Sequence, residues 1–211
     1  MYTGIVQGCF AIKKIERKKG LHCLHIELPD SLLEGLMIGA SVGVDGVCLT
    51  VTSIEAQTVS FDVMQQTLSL TTLGQLEQGD WVNVERSAKQ GVEIGGHIIS
   101  GHVDGCAEVI AVATPDNNRV VRYQVAEEKI KYIFDKGFIG LNGCSLTVAD
   151  VDKTNASFRV CFIPETLRMT THGKKQVGDK INFEIDRQTQ TIVDTVENFL
   201  KANAGSLMGA E

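Results

Sequence analysis

Proline and tryptophan are nearly missing: three prolines and one tryptophan stand in 211 residues, and aromatic residues make up only 6%. So few aromatics, with no block of Lys or Arg and a net charge of -6, argue against a nucleic-acid or anionic-membrane surface. No apolar run reaches the ~18 residues of a membrane-spanning helix. The opening "MYTGIVQG" carries neither the basic flank nor the apolar stretch of a secretion signal. The six cysteines (Cys9, Cys23, Cys48, Cys106, Cys144 and Cys161) include no CxxC pair, so zinc and thioredoxin-like chemistry have no spacing to use. Free thiols in a chain without such a signal suit a reducing, cytoplasmic setting.

What is abundant is repetition. "GVDGVCLTV" (Gly43 to Val51) returns as "GLNGCSLTV" (Gly140 to Val148), an offset of 97. The same offset carries "GIVQGC" from Gly4 onto "GHVDGC" from Gly101, and "SFDV" from Ser60 onto "SFRV" from Ser157. After a two-residue insertion, "GDWVNVE" from Gly79 maps onto "GDKINFE" from Gly178. Blocks in register over almost the whole chain mark a duplicated domain. The second copy starts near Ile98, which aligns with Met1, so the N-terminal residues are expected to be part of the fold.

Each copy reads as β. Val59, Phe61 and Val63 alternate at period two, as do Val82 and Val84. Asp45-Gly46, Asn142-Gly143, Gly79-Asp80 and Gly178-Asp179 mark turns. Short strands at this spacing predict a small barrel or sandwich. Ser31 with Glu34 reads as a capping box opening a helix at "SLLEGL", "EEKIKYIF" occupies the same place in the second copy, and Pro164 can open a helix at "PETL". The tail "TQTIVDTVENFLKANAG" belongs to neither copy. It places Ile192, Val193, Val196, Phe199 and Leu200 on one helical stripe, with Gly205 as a stop. That stripe must be covered, by its own barrels or by copies of itself.

"MYTGIVQG", "VDGVCLTV", "GGHIISGHVDG", "KGFIGLNGCSLTV" and "IPETLRMTTHGKK" together resemble the α-chain type of riboflavin synthase over the whole chain. The resemblance implies an all-β fold: two tandem six-stranded Greek-key β-barrels (residues 1–97 and 98–187) and a C-terminal trimerisation helix and tail (188–211). It implies dismutation of two molecules of 6,7-dimethyl-8-ribityllumazine by four-carbon transfer, giving riboflavin and a ribitylamino-pyrimidinedione. Neither metal nor cofactor is implied, and the assembly is a homotrimer whose site lies between subunits. The alternative is a fluorescent antenna protein that binds lumazine or flavin without chemistry. Such relatives look degraded where this chain keeps "GGHIISGH" and "PETL".

Carried over by position, the first pocket uses Gly4, Ile5 and Val6, then Cys48, Leu49 and Thr50, then Asp62, Val63, Met64, Gln65, Gln66 and Thr67. The second uses Gly101, His102 and Val103, then Ser145, Leu146 and Thr147, then Cys161, Phe162, Ile163, Pro164, Glu165 and Thr166, with Lys136 reaching across. A flat heterocycle suits strand backbone that reads its edges. Cys48 is the candidate nucleophile, with water or the Ser41 hydroxyl as rival, and His102 the candidate base. Lys136 could neutralise a deprotonated donor, and Asp186 matches a carboxylate tied to activity. His97 with His102 shows no third ligand that would make a metal site. The chain departs from the family at Tyr2 (commonly Phe), at Asp45 (commonly Asn) and at Gln65-Gln66, where the second copy has Pro-Glu.

Overall fold

The computed structural model describes residues 1–115 and 118–207. The first copy supplies β1 (Gly8–Lys18), β2 (Leu21–Glu27), β3 (Ser41–Val44), β4 (Val47–Glu55), β5 (Thr58–Met64) and β6 (Trp81–Arg86). They close into an antiparallel barrel in the hydrogen-bonded order β1-β2-β5-β4-β3-β6. The second copy supplies β7 (Gly105–Ala113), β8 (Arg119–Gln124), β9 (Phe138–Leu141), β10 (Cys144–Asp152), β11 (Ser157–Phe162) and β12 (Lys180–Ile185), closed in the matching order. Among the described residues, closure leaves no unpaired sheet edge. Even the irregularities repeat. The register shifts between Ile12 and Lys14 and again between Val109 and Ala111, and between Val51 and Ser53 and again between Val148 and Asp150.

The alternation expected of these strands holds on the core side: Val59, Phe61, Val63, Val82 and Val84 are all buried. The opposite face of β6 differs from a solvated one. Asn83 and Glu85 are also buried, because that face meets the other barrel at Asn83 and the N-terminal arm at Glu85. There the contacts are reciprocal. Asn83 Nδ2 donates to the Asn142 carbonyl at 3.0 Å and Asn182 Nδ2 to the Asp45 carbonyl at 2.8 Å. The Asn182 side chain accepts from the Thr72 amide, and the Asn83 side chain from the Thr171 amide, each at 2.8 Å.

The helices are shorter than the sequence suggests. α1 spans Asp30–Leu33, with Pro29 at its N-cap and no side-chain cap. Ser31 therefore lies inside the first turn, where it cannot act as the expected capping box. "EEKIKYIF" forms only a 3-10 turn, Ile130–Tyr132. One such turn brings both Ile130 and Ile133 to the core. α2 spans Gln65–Leu70, and α3, Pro164–Met169, begins on its proline as expected. α4 runs Arg187–Leu207, through Gly205 rather than stopping there. Residues 208–211 of the expected tail lie outside the described residues. All six cysteines are free thiols. No helix among the described residues is long and apolar enough to cross a membrane.

Candidate functional site

The N-terminal arms of the two copies run antiparallel. Tyr2 and Ile99, equivalent by repeat, exchange backbone hydrogen bonds at 2.8 and 3.0 Å. Each arm is then clamped by a buried glutamate. Glu85 accepts from the Thr3 amide and hydroxyl at 2.7 and 2.8 Å and from the Gly4 amide at 3.1 Å. Glu184 accepts from the Ser100 amide and hydroxyl, both at 2.7 Å, and from the Gly101 amide at 2.9 Å. Burial pushes the Glu85 carboxyl up, although these donors pull it back.

The arms then cross to the opposite barrel. The Cys48 amide donates to the Gly101 carbonyl at 2.9 Å, and the Ser145 amide to the Gly4 carbonyl at 2.8 Å. Val6 sits in the core of the second barrel and Val103 packs on the core of the first. The expected grouping is therefore corrected: Gly4, Ile5 and Val6 accompany Ser145, while Gly101, His102 and Val103 accompany Cys48. Glycine is required at both crossings. A methyl on Gly101 would lie 2.6 Å from Cys48 Cβ, and one on Gly4 only 2.4 Å from Ser145 Cβ. Both residues also have positive φ, at 82° and 74°.

Beside the Gly101 crossing, a cleft of about 330 Å³ opens on the first barrel. Cys48, Leu49 and Thr50 of β4 form one wall, and Asp62 to Met64 of β5 with Gln65 to Thr67 of α2 form the other. Every carried-over residue of β4, β5 and α2 thus lines one cleft. Leu49 and Val63 turn their side chains into the core, so the cleft meets their backbone. Ser41 pairs with Thr50 across β3 and β4, at the rim of the same wall. His102 is exposed beside Gly101, its amide donating to Ser100 Oγ at 3.2 Å.

The matching stretch of the second barrel is built differently. The His97 amide donates to Ser145 Oγ at 3.0 Å, and His97 Nδ1 shares a hydrogen with that oxygen at 2.6 Å. The ring stacks on Phe138, centroids 5.1 Å apart. Burial holds the imidazole below its usual range, opposed by the nearby Asp186 carboxylate. The sequence pointed to His97 only as a weak metal ligand. Its repeat equivalent would precede Met1, so no paired residue drew attention to it. Phe162 and Leu146 turn into the core, while Cys161, Ile163, Pro164 and Glu165 are exposed, with Glu165 ion-paired to Arg168 at 2.6 Å.

Two further candidates lie at element ends, Lys136 in a turn and Asp186 near His97. Lys136 is exposed and left-handed at φ 63°, where the first copy has Gly39. A lysine there is strained, and strain of this kind gathers at functional sites. Asp186 is the N-cap of α4, accepting from the Thr189 amide at 2.9 Å and hydroxyl at 2.6 Å. Burial raises its carboxyl, but the Thr189 donors and His97 outweigh that and hold it below the usual range.

Two barrels of matching strand order, with arms that cross between them and a cleft on the first, define a duplicated-barrel protein. The lumazine binding domain matches residues 3–87 and again 100–186, and the chain belongs to that family. It is 51% identical over 208 residues to riboflavin synthase of Escherichia coli strain K12, covering 98% of this chain and 97% of that protein. Among solved structures, LumP complexed with riboflavin superposes with a TM-score of 0.83 at 28% identity, covering 89% of this chain and 100% of LumP. LumP complexed with 6,7-dimethyl-8-(1'-D-ribityl) lumazine gives 0.80 at 27%, with the same coverage.

Proposed function

We propose that this chain is a riboflavin synthase, an enzyme of the transferase class, in which each barrel binds one 6,7-dimethyl-8-ribityllumazine. The observation that carries this reading is the matched pair of sites with different groups at the same position: Cys48 beside Tyr2 in one, Ser145 beside His97 in the other. Two identical substrates must play different roles, and sites that share a backbone but differ in chemistry allow that. In the first-barrel site the Gly101 arm and the Cys48–Thr50 backbone read the edges of the heterocycle, and the polar rim from Asp62 to Thr67 takes the ribityl chain. In the second, the Gly4 arm and Ser145–Thr147 do the same, with Cys161 to Thr166 along the far wall.

Four carbons pass from one lumazine to the other, leaving riboflavin and 5-amino-6-(ribitylamino)pyrimidinedione. No electrons enter or leave, so the residues need supply only binding, nucleophilic addition and proton transfer. Cys48 is the nucleophile for the electron-poor ring carbon, with the Ser41 hydroxyl as its rival. His102 is the base for the donor's methyl protons. Lys136, exposed at the end of its turn, is free to reach a cleft on a neighbouring subunit. The complete site then forms between barrels of different subunits in a homotrimer held by α4. Exposure of Ile192, Val196, Phe199 and Leu200 along that helix supports this assembly.

The test is direct. Purified protein is mixed with the lumazine alone, and riboflavin absorbance and fluorescence are followed. Conversion is expected without added metal or cofactor. Tight binding with no conversion would assign the chain to ligand binding alone.

A further inference from the structure

We infer that the Tyr2 hydroxyl is a standing hydrogen-bond donor that stabilises the anionic form of the Cys48 sulfur at the first-barrel cleft, making Tyr2 a positioning residue. This rests on the reading of Cys48 as the nucleophile there. Tyr2 Oη lies 3.1 Å from Cys48 Sγ and donates to it. Among the described residues it is the one side-chain donor on that sulfur. A donor held against a sulfur favours the thiolate over the thiol.

Its placement is over-determined. Tyr2 is only 4% exposed. Its backbone is tied to Ile99 in both directions, and the next residue is clamped by Glu85. Its ring lies between two glycines, where a methyl on Gly43 would come within 3.2 Å of Cε1 and one on Gly101 within 2.9 Å of Cε2. The hydroxyl therefore has little freedom to turn elsewhere.

The surrounding charges make the donor matter. Glu85 on β6 and Glu184 on β12 both face Tyr2. Asp62 on β5 stands on the cleft wall, and His102 lies next to the Gly101 crossing. Burial, then the Cys48 contact and those two glutamates, raise the phenol far above its usual range, so it keeps its proton and donates throughout.

The duplication supplies the internal comparison. The equivalent of Tyr2 is Ile99, which has no hydroxyl, and the residue it would serve is Ser145, not a thiol. Ser145 is paired instead with His97 Nδ1. A phenol hydroxyl faces the cysteine and an imidazole nitrogen faces the serine.

The experiment compares the intact chain with Tyr2→Phe, reading iodoacetamide alkylation of Cys48 by peptide mass spectrometry at pH 7 and pH 10. The ratio of the pH 7 to the pH 10 rate should fall at least about threefold in the variant, while the ratio for the exposed Cys161 stays constant. A smaller fall, no change or a rise overturns the inference. If buried Cys144 becomes reactive, the variant has unfolded. Incorporating 3-fluorotyrosine, a stronger donor of nearly the same shape, then decides: the Cys48 ratio should rise, and no rise overturns the inference. Neither readout needs turnover. A chain that never makes riboflavin but shows the ratio change loses the proposed reaction and keeps the role of Tyr2.

Discussion

A single atom distinguishes Cys48 from Ser145, yet the groups around each suit only the residue present. If Cys48 acts as nucleophile, Cys48→Ser should lower kcat by at least tenfold while leaving lumazine affinity near normal, because the hydroxyl is similar in size and far less nucleophilic. Ser145→Cys should cost much less. Single-turnover kinetics beside equilibrium titration measures both, and equal losses would make the asymmetry one of packing. A second residue pair breaks the repeat at Asp45, whose equivalent is Asn142. Burial raises the Asp45 carboxyl to about 7, opposed by the Asn83 amide that donates to it at 2.8 Å. Its folded value thus exceeds its unfolded one, so the folded state binds the proton more tightly and loses stability as pH rises from about 4 to about 7. Asn142 makes the same backbone contact, from the Asn182 amide at 2.7 Å, without that penalty. Asp45→Asn should therefore raise stability at pH 8 by on the order of 2 kcal/mol and change little at pH 4, as thermal melts across pH would record.

At the scale of elements, the carboxylate of Asp186 does structural work that the sequence did not announce. It caps α4, and losing a cap costs about 1 kcal/mol. Asp186→Ala should lower the melting temperature by a few degrees, and Asp186→Ser, an equally good cap, should restore it. Turnover of the serine variant then reads the charge alone. The strands were legible because one face of each is apolar at period two, and that pattern also located their turns. The short helices were less so. Ser31 and Glu34 have the spacing of a capping box, but Asp30 begins the helix one residue earlier. Nothing local marked Asn83 and Glu85 as buried, since the side-chain partners of Asn83 are residues of the other copy and those of Glu85 lie in the N-terminal arm, 81 and 82 residues away. The crossing of the arms was illegible for a simpler reason. Val6 and Val103 are the same residue at the same repeat position, so periodicity cannot say which barrel either one enters. The residues of the first cleft were found together because β4, β5 and α2 are neighbours within one copy. His97 was missed because the repeat has no equivalent for it.

The whole molecule has two kinds of unfinished surface. One is α4, which its own chain holds by polar contacts, Lys131 to Glu197 at 2.7 Å and Tyr132 to Asp194 at 2.6 Å, while its apolar stripe faces outward. Removing residues 190–211 should convert the proposed trimer to smaller species in sedimentation and abolish turnover, and a truncated trimer would count against the helix as the joint. The other appears only when the copies are separated. In a fragment of residues 1–97, the arm from Gly4 to Val6 loses the barrel it packs on, and Cys48 loses the carbonyl of Gly101. Gly4 is the repeat equivalent of Gly101, so the arm of a second fragment has the right shape and the right carbonyl to replace it. The seam can be rebuilt the same way. Gly46 touches Gly143 and Asn83 donates to the Asn142 carbonyl, and in a pair of fragments Gly46 would meet Gly46 and Asn83 the Asp45 carbonyl. The isolated first repeat should therefore be a dimer with exchanged arms that binds one flavin per barrel. Deleting residues 1–6 should leave it monomeric and weaken that binding. Sedimentation with fluorescence titration would show both effects, and a stable monomer that binds flavin with its arm intact would mean that each barrel can satisfy its own arm.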